Sequence, residues 1–104
     1  MKILLVCAGG FSTSFLMKKM KEYWEKELGE ELEVHACGFS EAGEKSKALD
    51  YDCVLIGPQA GFQQEKVKTD TGLPCAIIPP QDYGIGNCKN IHALAMQCLE
   101  AKKG

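Results

Sequence analysis

Short apolar segments recur along the chain, and the stretches between them carry helix signals. The apolar segments are 2–7, 32–38, 53–57 and 75–78. The segments 2–7 and 53–57 are apolar almost throughout, which is typical of strands buried on both faces of a parallel sheet, and 75–78 is expected to be the fourth strand. The segment 32–38 instead alternates apolar and polar residues, so we expect a strand near an edge of the sheet, with one wetter face.

The stretches between the apolar segments predict helices. In the longest, apolar residues recur at helical spacing until Gly29 stops the helix. Short helices are expected where a capping residue or an apolar stripe is present. The predicted helices are 12–28, 40–49, 63–70 and one from Asn87 or Asn90 to Lys102. We expect loops at Pro58-Gln59 and through Tyr83-Gly84.

Strands and helices alternate four times, which predicts an α/β fold. Because crossovers between parallel strands are right-handed, the strands should form one sheet with helices on both faces. We expect a single domain over 1–104, built on an open four-stranded parallel sheet in the strand order 2-1-3-4. The composition, 45% hydrophobic and 25% charged, is that of an ordinary globular domain.

Charge and hydropathy exclude several classes of partner. With a net charge of −2, the chain is not expected to have the broad basic surface that binds nucleic acid. The longest apolar run, 3–8, has six residues, whereas a membrane-spanning helix needs about 20. We therefore expect no insertion into a membrane, and, without a recognisable export signal, a cytoplasmic protein.

The six cysteines do not predict a disulfide framework or a metal site. They contain no Cys-x-x-Cys pair, which weakens both zinc and dithiol redox interpretations. Cys37, Cys53 and Cys75 lie in apolar runs, where cysteine behaves as a small hydrophobic residue, and reduced thiols are expected in the cytoplasm. The two histidines, His35 and His92, are far apart and lack a matching carboxylate pattern, so no metal is expected.

The segment that follows the first strand carries the candidate chemistry. Cys7 ends the strand, and Ala8-Gly9-Gly10-Phe11-Ser12-Thr13-Ser14 leads into the first helix. Ligands of parallel sheets bind at the carboxyl ends of the strands. Backbone N–H groups of a glycine-rich turn and a helix start can converge on an anion, and the three hydroxyl residues add donors. Ser12 or Ser14 could equally be an ordinary N-cap.

The same field favours the thiolate of Cys7 over the thiol. The segment thus offers both a nucleophile and a cradle for the group that the nucleophile would carry. Alternatively, Cys7 is simply the last core residue of its strand. The two glycines and three hydroxyl residues that follow it favour the functional interpretation.

The absence of arginine limits the reaction. All twelve basic residues are lysines. Cysteine-based hydrolysis of phosphate esters uses an arginine on the equatorial oxygens and an acid for the leaving group, and Asp82 alone does not supply both. We therefore expect a carrier that accepts and passes on a phosphoryl group. A small phosphatase or an arsenate-reductase-like enzyme is the alternative, and a sensor domain that reports phosphorylation is a third.

On the basis of these residues, the chain resembles the cytoplasmic IIB component of a bacterial sugar phosphotransferase system (PTS) of the lactose/cellobiose type. The resemblance runs over essentially the whole chain. It rests on the loop after Cys7, on Leu55-Ile56-Gly57-Pro58-Gln59 and on Asp82-Tyr83-Gly84. Phe11 departs from the family pattern, in which a smaller or unbranched residue is commoner.

The resemblance implies a phosphoryl relay. A phosphohistidine of a IIA protein donates its phosphoryl group to Cys7, and the phosphocysteine passes it to a sugar while the membrane component IIC imports that sugar. The implied sugar is a β-linked disaccharide such as cellobiose, chitobiose or lactose. The resemblance implies no cofactor other than the covalent phosphoryl group on Cys7.

Other residues are expected at the rim of this site. Gln59 and Tyr83 follow the third and fourth strands and could contact the phosphoryl group or a partner, or only shape their loops. Lys18, Lys19 and Lys21 form a basic cluster on the first helix. Such a cluster is usually a solvated face, but it could also steer a phosphorylated or acidic partner to the loop.

Overall fold

The computed structural model describes residues 1–7, 12–48 and 50–103. Strands and helices alternate along the chain as the sequence predicts. The strands are β1 (Lys2–Cys7), β2 (Glu33–Gly38), β3 (Cys53–Ile56) and β4 (Cys75–Ile77). The helices are α1 (Ser12–Leu28), α2 (Ala42–Ala48), a 3-10 helix (Pro58–Gln63), α3 (Gln64–Thr71), α4 (Pro80–Ile85) and α5 (Cys88–Lys103).

The four strands form one parallel sheet in the order β2-β1-β3-β4. This confirms the predicted sheet and strand order. β1 is paired on both sides, with Cys7 opposite Gly38 on β2 and Val6 opposite Ile56 on β3. β3 is wholly buried, whereas β2 alternates buried and exposed residues, as expected for an edge strand.

Two hydrophobic cores cover the two faces of the sheet. Because successive strand residues point to opposite faces, Ile3 and Leu5 belong to one core and Leu4 and Val6 to the other. The first core is completed mainly by α1 and α5. The second is completed by residues of α2, the 3-10 helix and α3. The fold therefore has the expected three layers.

The buried stripe of α1 explains why this helix is long and fixed on the sheet. Leu16, Met20 and Trp24 recur every fourth residue and are almost completely buried. Gly29 follows the helix with φ of 63°, a left-handed conformation that glycine adopts without strain. The N–H of Glu30 then donates to the carbonyl oxygen of Trp24 at 3.0 Å.

Two predicted loops are helices. Pro58-Gln59 opens the 3-10 helix, and Tyr83 lies in α4. Pro58 and Pro80 each occupy the start of their helix, where the missing N–H of proline costs nothing. Both elements have six residues, so neither is long enough to show a helical period in the sequence.

The start of the last helix follows the first of the two predicted positions. The side-chain oxygen of Asn87 accepts a hydrogen bond from the N–H of Asn90 at 3.3 Å, which caps the first turn of α5. The predicted end of the second helix at Leu49 lies outside the described residues. Among the described helices, none combines the length and the hydropathy that crossing a membrane requires.

The central strand should dominate the stability of the fold. Ile3 is fully buried, whereas Ile85 is 67% exposed. We expect Ile3→Ala to lower the free energy of unfolding by about 3 kcal/mol, because it removes buried methyl groups and leaves a cavity. Ile85→Ala, the matched control, should change it by less than about 0.5 kcal/mol. Urea unfolding measures both, and equal losses would contradict the assignment of the core.

Candidate functional site

The candidate site lies at the carboxyl edge of the sheet. Since all strands are parallel, the segments that follow them meet at this edge. Cys7 ends β1 there, between Gly38 of β2 and Gly57 after β3. The N–H of Gly57 donates to the carbonyl oxygen of Val6 at 2.7 Å, which continues the pairing of the sheet up to Cys7.

Cys7 is held closely by its neighbours. Its Sγ lies 3.6 Å from the carbonyl oxygen of Cys37 as a hydrogen-bond donor. The residue is only 7% exposed. A carrier that meets two partners is expected to be more open than this. The folded chain therefore covers most of the surface of Cys7 in this structure.

Only part of the loop predicted to cradle the phosphoryl group lies among the described residues. Ala8, Gly9, Gly10 and Phe11 lie outside the described residues. Ser12 and Thr13 are the first two residues of α1, as predicted, and their side chains are also outside the described part. Ser14 is exposed in the first turn. The helix therefore begins where the sequence places it.

Gln59 and Tyr83 meet at the end of β3. A Cβ placed on Gly57 would lie 3.3 Å from Cε2 of Tyr83 and 3.4 Å from Oε1 of Gln59. Gln59 is exposed and Tyr83 is partly buried. The structure thus brings these two predicted rim residues together, one strand away from Cys7. It also shows why glycine suits position 57, since a side chain there would press on Tyr83.

Asp82 shapes the turn between α4 and α5. It is 7% exposed, and its Oδ1 accepts a hydrogen bond from Nδ2 of Asn90 at 3.0 Å. Its carbonyl oxygen accepts the N–H of Asn87 at 2.9 Å. The carboxylate is therefore engaged in the fold, which favours a role in shaping this segment over one as an acid for a leaving group.

The basic cluster of α1 divides into two kinds of residue. Lys18 and Lys21 are exposed. Lys19 instead donates from Nζ to the carbonyl oxygen of Ile85 at 3.1 Å and lies 5.3 Å from the ring centroid of Phe15. Lys19 therefore joins α1 to the end of α4, so the cluster as a whole is not a solvated face.

The exposed large hydrophobic residues of the described chain lie near the ends of strands or in the segments that follow them. We call these residues the apolar collar. They are Phe15 (59% exposed), Phe62 (76%), Ile77 (36%) and Ile85 (67%). Each lies in the first turn of α1, at the end of β4, or in a helix that follows β3 or β4. The ring of Phe62 also packs on that of Phe39 at 5.9 Å between centroids.

The collar was not predicted from the sequence. Its members are scattered along the chain, but Ile77 lies against Gly61, the chain neighbour of Phe62, and Lys19 contacts both the ring of Phe15 and the carbonyl oxygen of Ile85. Clustered exposed apolar side chains are typical of a surface that binds another protein. Phe62 and Ile85 lie in six-residue helices, which have no periodic core stripe for a large apolar residue to join, whereas Phe15 lies in α1 and Ile77 in β4.

Cys37 is a second neighbour of Cys7 that the sequence did not single out. Its pKa is raised from 9.0 to about 11, mainly by burial, with further increases from the charges of Glu41 and Cys7 and an opposing effect of Lys45. Among residues 1–7, 12–48 and 50–103, no group of three His, Cys, Asp or Glu side chains is placed to hold a metal ion.

The raised pKa of Cys37 predicts a loss of stability in alkali. Below about pH 9 the Cys37 thiol is neutral in both the folded and the unfolded chain, so its ionisation does not change the free energy of unfolding. Between about pH 9 and pH 11 the thiol ionises only in the unfolded chain, which favours unfolding. We expect wild type to lose about 2 kcal/mol more than Cys37→Ala over this interval. Urea unfolding at several pH values measures the difference, and parallel pH profiles would refute it.

Comparisons with known proteins agree with this architecture. The family model described as "PTS system, Lactose/Cellobiose specific IIB subunit" matches residues 2–93. The oligo-beta-mannoside-specific EIIB component of Bacillus subtilis (strain 168) is 36% identical over 101 residues, which cover 94% of this chain and 95% of that protein. The galactose-specific EIIB component of Lactococcus lactis subsp. cremoris (strain MG1363) is 35% identical over 80% of this chain and 82% of its own length.

A solved structure supports the same conclusion. The solution structure of the cellobiose-specific phosphotransferase IIB component protein from Borrelia burgdorferi superposes with a TM-score of 0.74 and 30% sequence identity. The superposition covers 98% of this chain and 94% of that one. Taken with the parallel sheet and the cysteine at the end of its central strand, these matches show that the chain belongs to the lactose/cellobiose-specific IIB family of the PTS, whose members are phosphotransferases of sugar transport.

Proposed function

We propose that Cys7 is the residue through which this IIB protein carries the phosphoryl group. The observation that carries the proposal is its position. Cys7 ends the central strand at the carboxyl edge of the sheet, and α1 begins five residues later at Ser12. A nucleophile beside the start of a 17-residue helix has N–H donors and a partial positive charge near the group that it would bear.

Two transfers follow from this assignment. In the first, the sulfur of Cys7 attacks the phosphorus of a phosphohistidine on IIA, so that an S–P bond forms and the N–P bond breaks. In the second, a hydroxyl oxygen of the sugar attacks the same phosphorus, so that an O–P bond forms and the S–P bond breaks, and the proton of the hydroxyl passes to water or to the departing sulfur of Cys7. Both steps proceed in line through a loose transition state, for which the protein supplies mainly position and charge stabilisation.

The protein's own groups favour transfer over hydrolysis. The chain has no arginine to clamp the equatorial oxygens. Lys19 is engaged with Ile85 and Phe15, and the carboxylate of Asp82 is held by Asn90. Backbone donors of residues 8–14 would hold the phosphoryl group, with Gln59 and Tyr83 as further contacts at the rim. We therefore favour a carrier over the phosphatase or arsenate-reductase alternative.

The apolar collar supports docking of protein partners at this edge. A IIA donor and the membrane component IIC would each have to approach Cys7, and the exposed apolar side chains of the collar would provide contact area for both. The exposed Lys18 and Lys21 add positive charge that would attract a phosphorylated partner. We place these encounters in the cytoplasm.

The sugar is proposed at the level of its class. The relatives are named for oligo-beta-mannoside, galactose and cellobiose, although all share the IIB family. The fold thus accommodates systems for different sugars. We propose a β-linked disaccharide such as cellobiose, chitobiose or lactose, taken up through IIC.

Replacing Cys7 should abolish phosphorylation. Incubated with phosphoenolpyruvate, the general PTS proteins and a IIA protein, the wild type should gain one phosphate in intact-protein mass spectrometry. Cys7→Ala should gain none, because the acceptor sulfur is gone. Cys88→Ala is the matched control, since Cys88 is also buried, at 8% exposed, and should be phosphorylated normally.

Retention of phosphate on the Cys7→Ala protein would overturn the assignment of the acceptor. Hydrolysis of a simple aryl phosphate by the wild type, lost in Cys7→Ala, would instead support the phosphatase alternative. The two results are distinguishable because the first follows a mass and the second follows released phosphate.

Shortening Phe62 should weaken docking of the phosphoryl donor. Its ring is 76% exposed, so Phe62→Ala should leave the free energy of unfolding nearly unchanged. We expect the apparent Kd for IIA to rise by about fivefold, because an exposed aromatic side chain is lost from the contact surface. Titration calorimetry measures the affinity. Phe62→Leu should restore most of it, and an unchanged Kd in Phe62→Ala would remove the collar from the interface.

A further inference from the structure

The short helix α4 carries one of the proposed rim residues. It has six residues, Pro80–Ile85, and Tyr83 lies within it. The ring of Tyr83 lies beside Gly57, whose N–H donates to the carbonyl oxygen of Val6, the residue before Cys7. The place of Tyr83 at the rim therefore depends on how α4 is held against its neighbours.

Contacts with longer helices hold α4 in place. A helix of six residues is not stable by itself, because few hydrogen bonds offset the cost of starting it. In the described part of the chain, two side-chain hydrogen bonds join α4 to longer helices. Lys19 of α1 donates from Nζ to the carbonyl oxygen of Ile85 at 3.1 Å, and Asn90 of α5 donates from Nδ2 to Oδ1 of Asp82 at 3.0 Å.

The contact between Asn90 and Asp82 constrains α4 more than the contact of Lys19 does. Asp82 is 7% exposed, so little water can replace the donor if the amide of Asn90 is lost. The contact of Lys19 is exposed, and water can take the place of its ammonium group. The buried contact is therefore the one that fixes the orientation of the helix.

Asn90 lies on a rigid support. It belongs to the first turn of α5, directly before Ile91, and Ile91 and Ala95 are buried in the core that α5 completes. The N–H of Asn87 also donates to the carbonyl oxygen of Asp82 at 2.9 Å. Because this backbone bond does not involve the side chain of Asn90, the side-chain contact adds orientation to a turn that is already connected.

We propose that Asn90 is a positioning residue for phosphoryl transfer, which holds Tyr83 at the rim of the site through the carboxylate of Asp82. The inference rests on the function proposed above, in which Cys7 receives a phosphoryl group from IIA. Tyr83 meets the transferred group, whereas Asn90 acts through α4. Because transfer depends on alignment, a small displacement of the rim lowers the rate without removing a reacting atom.

The test measures single-turnover phosphorylation of Cys7 by phosphorylated IIA, with intact-protein mass spectrometry of quenched samples. Asn90→Ala removes the donor to Asp82. We expect its maximal rate to fall about tenfold, because Tyr83 is no longer held in place. The concentration of IIA at half-maximal rate should stay within about twofold of the wild-type value, because the collar proposed to dock IIA is unchanged.

Gln64→Ala is the matched control. Nε2 of Gln64 donates to the carbonyl oxygen of Cys75 at 3.3 Å, so this variant also removes a carboxamide donor from a partly buried hydrogen bond. Cys75 begins β4, at the opposite end of the strand from the site. The control should therefore react at the wild-type rate, and urea unfolding confirms that both variants are folded.

A double-mutant cycle tests whether Asn90 acts through Tyr83. Tyr83→Ala alone should slow transfer, because the ring at the rim is lost. If Asn90 acts by placing that ring, Tyr83→Ala combined with Asn90→Ala should be no slower than Tyr83→Ala. Losses that multiply would indicate two independent roles and would overturn the proposal.

Exchange of the two side chains provides a second test. Asn90→Asp sets two carboxylates against each other where the wild type has a hydrogen bond of 3.0 Å, and their repulsion should slow transfer. Asp82→Asn combined with Asn90→Asp restores a donor and an acceptor with their roles reversed, and should return the rate to within about threefold of wild type. A folded double variant that stays as slow as Asn90→Asp would refute the proposal, even if Asn90→Ala failed to fold.

Failure of this inference differs from failure of the proposed function. A wild type that gains no phosphate would contradict both. A wild type that is phosphorylated, together with a folded Asn90→Ala that reacts at the same rate, would contradict only the positioning role of Asn90.

Discussion

The pairing of β1 with two parallel neighbours is the constraint on which the rest of this molecule depends. Because β1 is central, the helices above and below the sheet bury Ile3 to Cys7. The right-handed crossovers between the parallel strands place helices on both faces. The parallel pairing also gives the sheet two unlike edges. The segments that follow the strands collect at one edge, and the segments that lead into them collect at the other.

The two edges carry different chemistry for a physical reason. At the carboxyl edge, helix starts and exposed loops provide N–H donors and apolar side chains, which suit an anion and a visiting protein. At the amino edge, β3 and β4 begin with cysteines, of which Cys53 lies in the core completed by α5 and Cys75 packs against the core of the other face. The carboxyl edge is therefore the one that suits the proposed transfer of a phosphoryl group between proteins.

Contacts between distant segments keep the carboxyl edge in order. Lys19 links α1 to the end of α4, Asn90 holds Asp82, and Tyr83 packs beside Gly57. The side chains of Lys19 and Asp82 could otherwise act as functional groups in the site, but here they hold neighbouring segments together. If Cys7 carries the phosphoryl group as proposed, these contacts keep the cation of Lys19 and the carboxylate of Asp82 occupied in the fold rather than in hydrolysis.

The sequence alone determined the strands, the strand order, the long helices and the candidate nucleophile. Continuous apolar runs such as 2–7 and the stripe of α1 are local patterns, and Cys7 stands out because glycines and hydroxyl residues follow it directly. Local patterns did not reveal the six-residue helices at Pro58 and Pro80, which are too short to show a period.

Only the tertiary structure decided which side chains meet. The approach of Cys37 to Cys7, the hydrogen bond from Lys19 to Ile85 and the position of Tyr83 beside Gly57 all join residues far apart in the chain. No spacing in the sequence encodes such contacts, because they arise from strand register and helix packing. Register brings the end of β1 beside the end of β2, and helix packing places α1 against the end of α4.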